Sequence, residues 1–200
     1  MIDKFISDVL NQNYYEGVFP EIDESGIPFE FVTELHRKLI FISNMMGVTL
    51  SQESPQRDTM SGCYHPIEDI IKMDGDLFNR SRLGYLMVLA HELTHATGRS
   101  TRLARPVIGS FLIFDQYHRA QEETIAQLGA YRILEKFGCV NNDVYRALVM
   151  YVKGQLNYIG LFSDLFPEAH KETIIKEAWR ETDKVMNYID MIMGEESCAA

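Results

Sequence analysis

The sequence predicts a single α+β domain that is mostly helical and has a small sheet of about three strands. Three observations lead to this prediction. Apolar residues recur at three- and four-residue spacing through several long segments, as on the buried face of a helix. Strand-like patterns bounded by proline and glycine are confined to residues 48–73. The 200 residues, 46% of them hydrophobic, suit one domain with a sizeable core.

The N-terminal part is predicted to be an appendage followed by the first helix of the domain. Residues 2–12 have the apolar spacing of a short amphipathic helix, and residues 13–28 read as loop because they contain glycine, proline and an acidic cluster. Residues 1–29 are therefore a helix-and-loop appendage. A second apolar stripe predicts a helix from Glu30 that ends near Gly47.

The sheet is predicted from two neighbouring stretches. Residues 48–50 start a strand, and residues 62–73 form two short strands around a turn that contains proline. Proline and short length are typical of an edge strand, whose unpaired backbone groups can bind an extended peptide by strand addition. The alternative is a plain edge strand without a ligand.

The segment that organises the chain is the motif His91-Glu92-Leu93-Thr94-His95, on a helix predicted over residues 81–97. Histidines four residues apart lie on one face of a helix, so both imidazoles can reach one zinc ion. Glu92 is rotated by about 100° from His91, which places it beside the metal as a general base. Residues 86–90 are all apolar, and a buried helix carries such polar groups only when something satisfies them.

Two segments flank this helix. Polar residues 74–82 lead into it, and Gly98 is a good C-cap. The long connection that follows contains Arg102 and Arg105, near the entrance to the site. These arginines could clamp a substrate carboxylate, but holding the loop by ion pairing is the favoured interpretation.

The C-terminal half is predicted to be helical. Helices are expected over residues 118–136, with Gly138 as the cap, and over residues 141–159 and 168–193. The last of these has a core-facing stripe of apolar and small residues: Ile175, Ala178, Thr182, Val185, Ile189 and Ile192. The domain thus spans residues 30–193, and residues 194–200 form a tail.

A catalytic zinc site needs a third protein ligand, and we expect it downstream on a helix that packs against the motif helix. Glu122 and Glu123 lie beside a patch of small residues, Ala126, Gly129 and Ala130, that lets another helix approach closely. Glu123 is favoured because it shares a face with Ala126 and Ala130. Glu122, His118 and Asp115 stay open as alternatives.

A ligating histidine usually donates its second N–H group to an oxygen acceptor. Gln127 lies one turn after Glu123, and we predict that its amide oxygen accepts this bond. The site also needs a partner for the oxyanion. The candidates for oxyanion or substrate contact are Tyr64, His65, Tyr117 and His118.

Charge and cysteine usage limit the function classes. A net charge of −10 argues against a broad phosphate-binding surface, so direct nucleic-acid binding is not expected. The three cysteines, Cys63, Cys139 and Cys198, have neither paired nor metal-type spacing, which is typical of a reducing compartment. Without a signal peptide or an apolar run long enough for a membrane span, we expect a cytoplasmic protein.

Four runs, at residues 64–73, 91–98, 100–105 and 122–130, together resemble the zincin-like metallopeptidase domain of ArdC-type antirestriction and polyvalent proteins of plasmids and phages. The resemblance covers roughly residues 30–193. It implies a mostly helical zincin-like fold and a gluzincin-type zinc site, with ligands His91, His95 and Glu123 and with Glu92 as the base. The full-length proteins of this family carry a single-stranded-DNA-binding domain that is not expected in the roughly thirty residues before the matching part. Gln127 stands where the family usually has an acid.

The leading hypothesis is a zinc metallopeptidase of a phage or plasmid that cuts a host protein in antirestriction or anti-defence. Glu92 would take a proton from the attacking water and pass it to the leaving amine. The alternative is a binding protein that uses the same scaffold to inhibit a host defence protein without proteolysis. A third, weaker hypothesis, a DNA mimic, depends on net charge alone.

Overall fold

The computed structural model has the predicted α+β architecture, built from six helices and a small sheet in the part of the chain that it describes. The predicted helices at 2–12 and 141–159, the loop at 13–28 and the tail fall largely outside the described residues. So do Asp115, Cys139 and Cys198. The described residues are 4, 7–8, 24, 27–53, 61–109, 116–138, 145–146, 149–150, 153 and 168–196.

The elements follow the predicted order closely. The strands are β1 (Thr49–Ser51), β2 (Gly62–His65) and β3 (Ile70–Met73). The helices are α1 (Phe29–Met46), α2 (Gly75–Arg80), α3 (Arg82–Thr97), α4 (Pro106–Gly109), α5 (Gln116–Lys136) and α6 (Glu168–Glu196).

The sheet is mixed, with strand order β1-β3-β2. β1 runs parallel to the central strand β3, and β2 runs antiparallel to it, with Tyr64 opposite Ile71. β2 is therefore an edge strand, as the proline and short length predict. The turn between β2 and β3 ends at Asp69, whose φ of 58° is left-handed. An aspartate tolerates this conformation better than most residues.

The motif helix α3 lies at the centre of the molecule. Leu86, Leu89 and Leu93 are fully buried, and the helix contacts α1, α2, α5 and both antiparallel strands. The side chain of Ser81 caps its first turn by accepting a hydrogen bond from the Gly84 amide. A helix buried on nearly all sides, as predicted from its apolar sequence, keeps its polar residues in a fixed geometry.

Two long helices, α5 and α6, pack in the core with α3. The small-residue patch of α5 packs on α3 as predicted, because a Cβ added at Gly129 would lie 2.4 Å from Cγ2 of Thr94. The core-facing stripe of α6 is buried at every predicted position, with Ile192 the most exposed at 4%. α6 packs against α5, so the three helices form one continuous core.

Two local features go beyond the predictions. The polar lead into the motif helix contains the short helix α2, which Asp74 caps by accepting a hydrogen bond from the Asp76 amide. Gly98 is the C-cap of α3, as predicted, but its φ of −77° is right-handed. The reason for a glycine there is space, because a Cβ would lie 2.8 Å from the guanidinium carbon of Arg105. Among the described residues, no helix is long and apolar enough to cross a membrane.

Candidate metal centre

Three side chains converge where α3 meets α5. Nε2 of His91 lies 3.1 Å from Nε2 of His95, and the carboxylate of Glu123 lies 3.4 Å from the first nitrogen and 3.6 Å from the second. Zinc bonds of about 2.0–2.1 Å in a tetrahedral site separate neighbouring ligand atoms by about 3.3–3.4 Å. The two imidazole nitrogens and the two oxygens of Glu123 that face them are separated by distances close to this value, and the donor set fits a divalent metal such as zinc.

Local sequence and helix packing together produce this convergence. The four-residue spacing places both imidazoles on one face of α3, with their rings at 84° to each other. Glu123 comes from α5, which can lie close enough because Gly129 has no side chain against Thr94. The structure thus brings together the three residues predicted as ligands, and it gives Glu122 a different position.

Glu122, not Gln127, is the acceptor that contacts a histidine of the site. Nδ1 of His95 lies 3.0 Å from Oε1 of Glu122, whose side chain is 1% exposed. Gln127 is buried but is bonded to neither imidazole, because its position one turn further along α5 carries it past the histidines. Nδ1 of His91 is buried and has no hydrogen-bond partner among the described residues. His95 is thus the more firmly oriented of the two histidines.

The electrostatics of the site favour a cation. Burial alone would lower the pKa of His95, but the negative charges of Glu123 and Glu122 outweigh it and raise the pKa to about 10. Burial would raise the pKa of Glu123, yet His95 and His91 hold it well below its usual range. The two glutamates therefore make this position favourable for a positive charge, such as that of a metal ion.

Glu92 lies between the motif helix and the edge of the sheet. Its side chain is buried, and Oε2 accepts a hydrogen bond of 2.8 Å from the backbone amide of Tyr64 on β2. Gly62 permits this approach, because a Cβ there would lie 2.5 Å from Val88 and 3.2 Å from Cγ of Glu92. The carboxylate predicted as the base is thus fixed by the backbone of the edge strand, a contact that the sequence did not predict.

The structure gives two of the four candidate oxyanion or substrate residues other hydrogen-bond partners. The hydroxyl of Tyr64 donates to Asp69 at 2.7 Å. Burial is the larger cause, and the contact with Asp69 the next, of a pKa of Tyr64 that is raised to about 12. The hydroxyl of Tyr117 donates to Glu177 on α6 at 3.3 Å. His65 alternates with Tyr64 along β2 and so lies on the other face of the strand, and His118 is exposed. An oxyanion role for these side chains stays a prediction without a supporting contact.

The connection after α3 is held by ion pairs, which confirms the favoured interpretation of its arginines. Arg102 contacts both carboxylate oxygens of Asp69 and also donates to the carbonyl of Ala96. Arg105 contacts both carboxylate oxygens of Glu122, each at 2.8 Å. Both arginine side chains are almost completely buried, at 4% and 7% exposure, so neither is presented to a substrate.

Two solved structures are similar to part of the chain. Both are of the antirestriction protein ArdC from plasmid R388. The Mn(II)-bound structure is 25% identical with a TM-score of 0.48, and it aligns over 76% of this chain and 52% of that one. The metal-free structure is 24% identical with a TM-score of 0.46, over 76% and 50%. This chain therefore spans about half the length of that protein.

No curated protein matches the chain significantly. A family model described as a zincin-like metallopeptidase matches residues 44–160, which is more than half of the sequence and includes both histidines and all three glutamates of the site. The match confirms the resemblance predicted from the spaced motifs. The chain belongs to the zincin-like metallopeptidase family.

Proposed function

We propose that this chain is a zinc-dependent metallopeptidase domain that hydrolyses peptide bonds in a protein substrate. The observation that carries the proposal is the pairing of two features on one helix. His91 and His95 form a donor set for a metal with Glu123, and Glu92, the residue after His91, is fixed at the edge of the sheet. A metal-binding site without catalysis needs the first feature but has no use for the second.

In this proposal the side chain of Glu92 moves the proton. A zinc ion bound to the three ligands would supply Lewis acidity and make a water molecule more acidic. Glu92 takes a proton from the attacking water and returns it to the leaving amine. Oε2 of Glu92 accepts the hydrogen bond from the Tyr64 amide, so we assign the proton transfer to Oε1. Burial of Glu92 keeps bulk water away from this transfer.

The edge strand offers a place for an extended substrate. Because the Tyr64 amide points to Glu92, the amides and carbonyls of Gly62 and Tyr64 face away from β3 in the antiparallel pairing. The Tyr64 amide is occupied, but the carbonyls at the same edge can accept hydrogen bonds from a peptide that adds as a further strand. Such a substrate would pass directly alongside Glu92.

The motif resemblance extends the proposal to a biological role. We propose that the domain serves a phage or plasmid in antirestriction or anti-defence by cutting a host protein in the bacterial cytoplasm. The net charge of −10 supports a protein substrate rather than direct nucleic-acid binding.

A matched pair of variants tests the proposal. Wild type, Glu92→Gln and the exposed control Glu30→Gln are each incubated with host lysate, and new peptide termini are identified by mass spectrometry. All three should hold about one zinc ion each. Cleavage should fall by about 10²–10⁴-fold only in Glu92→Gln. Equal cleavage by Glu92→Gln would refute the proposed role of this residue.

The same experiment separates the alternative function. If wild type generates no new termini, while both wild type and Glu92→Gln retain a co-purifying host protein and the biological effect, the chain is an inhibitor built on a zincin scaffold. In that case the zinc ligands would be structural.

A further inference from the structure

Two adjacent glutamates in the site have different surroundings. Glu123 faces the two Nε2 atoms, whereas Glu122 is turned away and bonded at both of its oxygens. Oε1 contacts Nδ1 of His95 and an Nη atom of Arg105, and Oε2 accepts from Nε of Arg105. Carboxylates are interchangeable as zinc ligands, so something must determine which of the two binds the metal.

Arg105 is the group that restrains Glu122. Its planar guanidinium makes a two-bond contact with the carboxylate, a geometry that lysine cannot reproduce. The same guanidinium donates to Oγ1 of Thr97 at 2.9 Å and to the carbonyl of Thr94 at 2.6 Å. Arg105 is thus fixed to the C-terminal end of the helix that carries both histidines.

The surrounding chain is shaped to admit this arginine. Gly98 leaves the space, because a Cβ there would lie 2.8 Å from the guanidinium. Ala104, just before Arg105, has a φ of 51°, a left-handed conformation that is costly for alanine. The backbone is therefore locally strained at the residue just before Arg105, whose guanidinium contacts Glu122.

We propose that Arg105 is a positioning residue that assigns the roles of the two glutamates. It holds Glu122 off the metal and against His95, so that His95 presents Nε2 and Glu123 is the single carboxylate ligand. Without Arg105, the buried charge of Glu122 loses its partner, and the carboxylate is then free to move toward the metal. This inference depends on the metal-binding part of the proposed function.

The test measures metal binding rather than activity. Zinc dissociation constants of the full chain are measured by competition with a chelator for wild type, Arg105→Met and Arg105→Lys. Loss of a group that supports a metal ligand typically weakens metal affinity by about 10–100-fold, so Arg105→Met should fall in this range and Arg105→Lys should be intermediate. The visible spectrum of the Co²⁺-substituted protein should change in Arg105→Met, because its carboxylate ligation changes.

Arg102→Met is the matched control. Arg102 is an equally buried arginine on the same loop and also contacts α3, but its carboxylate partner is Asp69 rather than a residue of the metal site. This variant should lose stability while it keeps the zinc dissociation constant and the Co²⁺ spectrum of wild type. An affinity loss equal to that of Arg105→Met would assign the effect to loop stability and overturn the inference.

A double-mutant cycle with Glu122→Gln removes the remaining ambiguity. If Arg105 acts through Glu122, adding Arg105→Met to Glu122→Gln should not change the zinc dissociation constant further. If Arg105→Met does not fold, Arg105→Lys takes its place in the cycle. Two results would overturn the inference but leave the proposed function standing. One is an Arg105 variant with the zinc dissociation constant and Co²⁺ spectrum of wild type. The other is an equal effect of the Arg105 substitution in wild type and in Glu122→Gln. If wild type binds no zinc, the proposed function fails as well.

Discussion

Gly62→Ala tests whether the edge strand positions the base. The new Cβ would lie 2.5 Å from Cγ1 of Val88, 3.1 Å from Sδ of Met73 and 3.2 Å from Cγ of Glu92. Carbon atoms in contact normally lie about 3.5–4.0 Å apart, so β2 and α3 must separate locally by about 1–1.5 Å. The hydrogen bond from Tyr64 to Glu92, now 2.8 Å, would be broken by such a shift.

Two consequences can be measured separately. Overpacking of a core typically costs about 1–3 kcal/mol, which for a chain of this size lowers the melting temperature by about 2–12 °C. A displacement of about 1 Å at the base can reduce peptidase turnover by about 10²-fold. Zinc affinity should not change, because the ligands lie on α3 and α5. Calorimetry, amide hydrogen exchange at Tyr64 and peptide cleavage report these effects.

Gly75→Ala is the control, since a Cβ at Gly75 meets no atom closer than 3.7 Å. It should leave melting temperature, exchange at Tyr64 and cleavage unchanged. If Gly62→Ala kept wild-type stability and slow exchange at Tyr64, the close approach of β2 to α3 would not position Glu92, and our account of the base would be wrong.

Three further predictions concern stability. Gly129→Ala should lower the free energy of unfolding in urea by about 1–2 kcal/mol, because the overpacking against Thr94 exceeds the gain in helix propensity. Adding Thr94→Ala should recover most of this loss of stability. If stability is not recovered, the contact between Gly129 and Thr94 is contradicted. Burial alone would raise the pKa of Asp69, but Arg102 and Tyr64 hold it below its usual value, so its contribution to stability is present above about pH 4 and is lost as the pH falls through the lowered pKa. Asp69→Asn should therefore cost about 3–5 kcal/mol at pH 7 and flatten the acid side of the stability curve, and an unchanged curve would contradict this ion pair. Removal of zinc with a chelator should lower the melting temperature, since a ligand at 1,000 times its dissociation constant stabilises by about 4 kcal/mol, and a constant melting temperature would contradict the site.

Features determined by neighbouring residues were predictable from the sequence. The helix that begins near Glu30 ends at Gly47, whose φ of 71° is the left-handed cap expected of glycine. The spacing of His91 and His95 determined their relative position, because helix geometry alone places them on one face. The stripe on α6 identified its buried face for the same reason.

Features that depend on tertiary contacts were not predictable to the same degree. Glu122 and Glu123 differ by about 100° around α5, and the packing of that helix on α3 decides which one faces the histidines. The hydroxyls of Tyr64 and Tyr117 looked suitable for catalysis, but each donates to a carboxylate, Asp69 or Glu177, that no local pattern associates with it. The sequence identifies residue types suited to the chemistry, and packing selects among them.

The balance of charge explains why folding and metal binding should be coupled here. Three glutamates with largely buried side chains, Glu92, Glu122 and Glu123, lie on the two helices that form the site, and two of them contact the imidazoles. Arg105 balances Glu122, which leaves two carboxylates for a cation of charge two. Glu123 and Glu122 raise the pKa of His95 although burial would lower it, so the site favours a positive charge. Zinc ligands bind in their deprotonated forms, so zinc affinity should increase with pH.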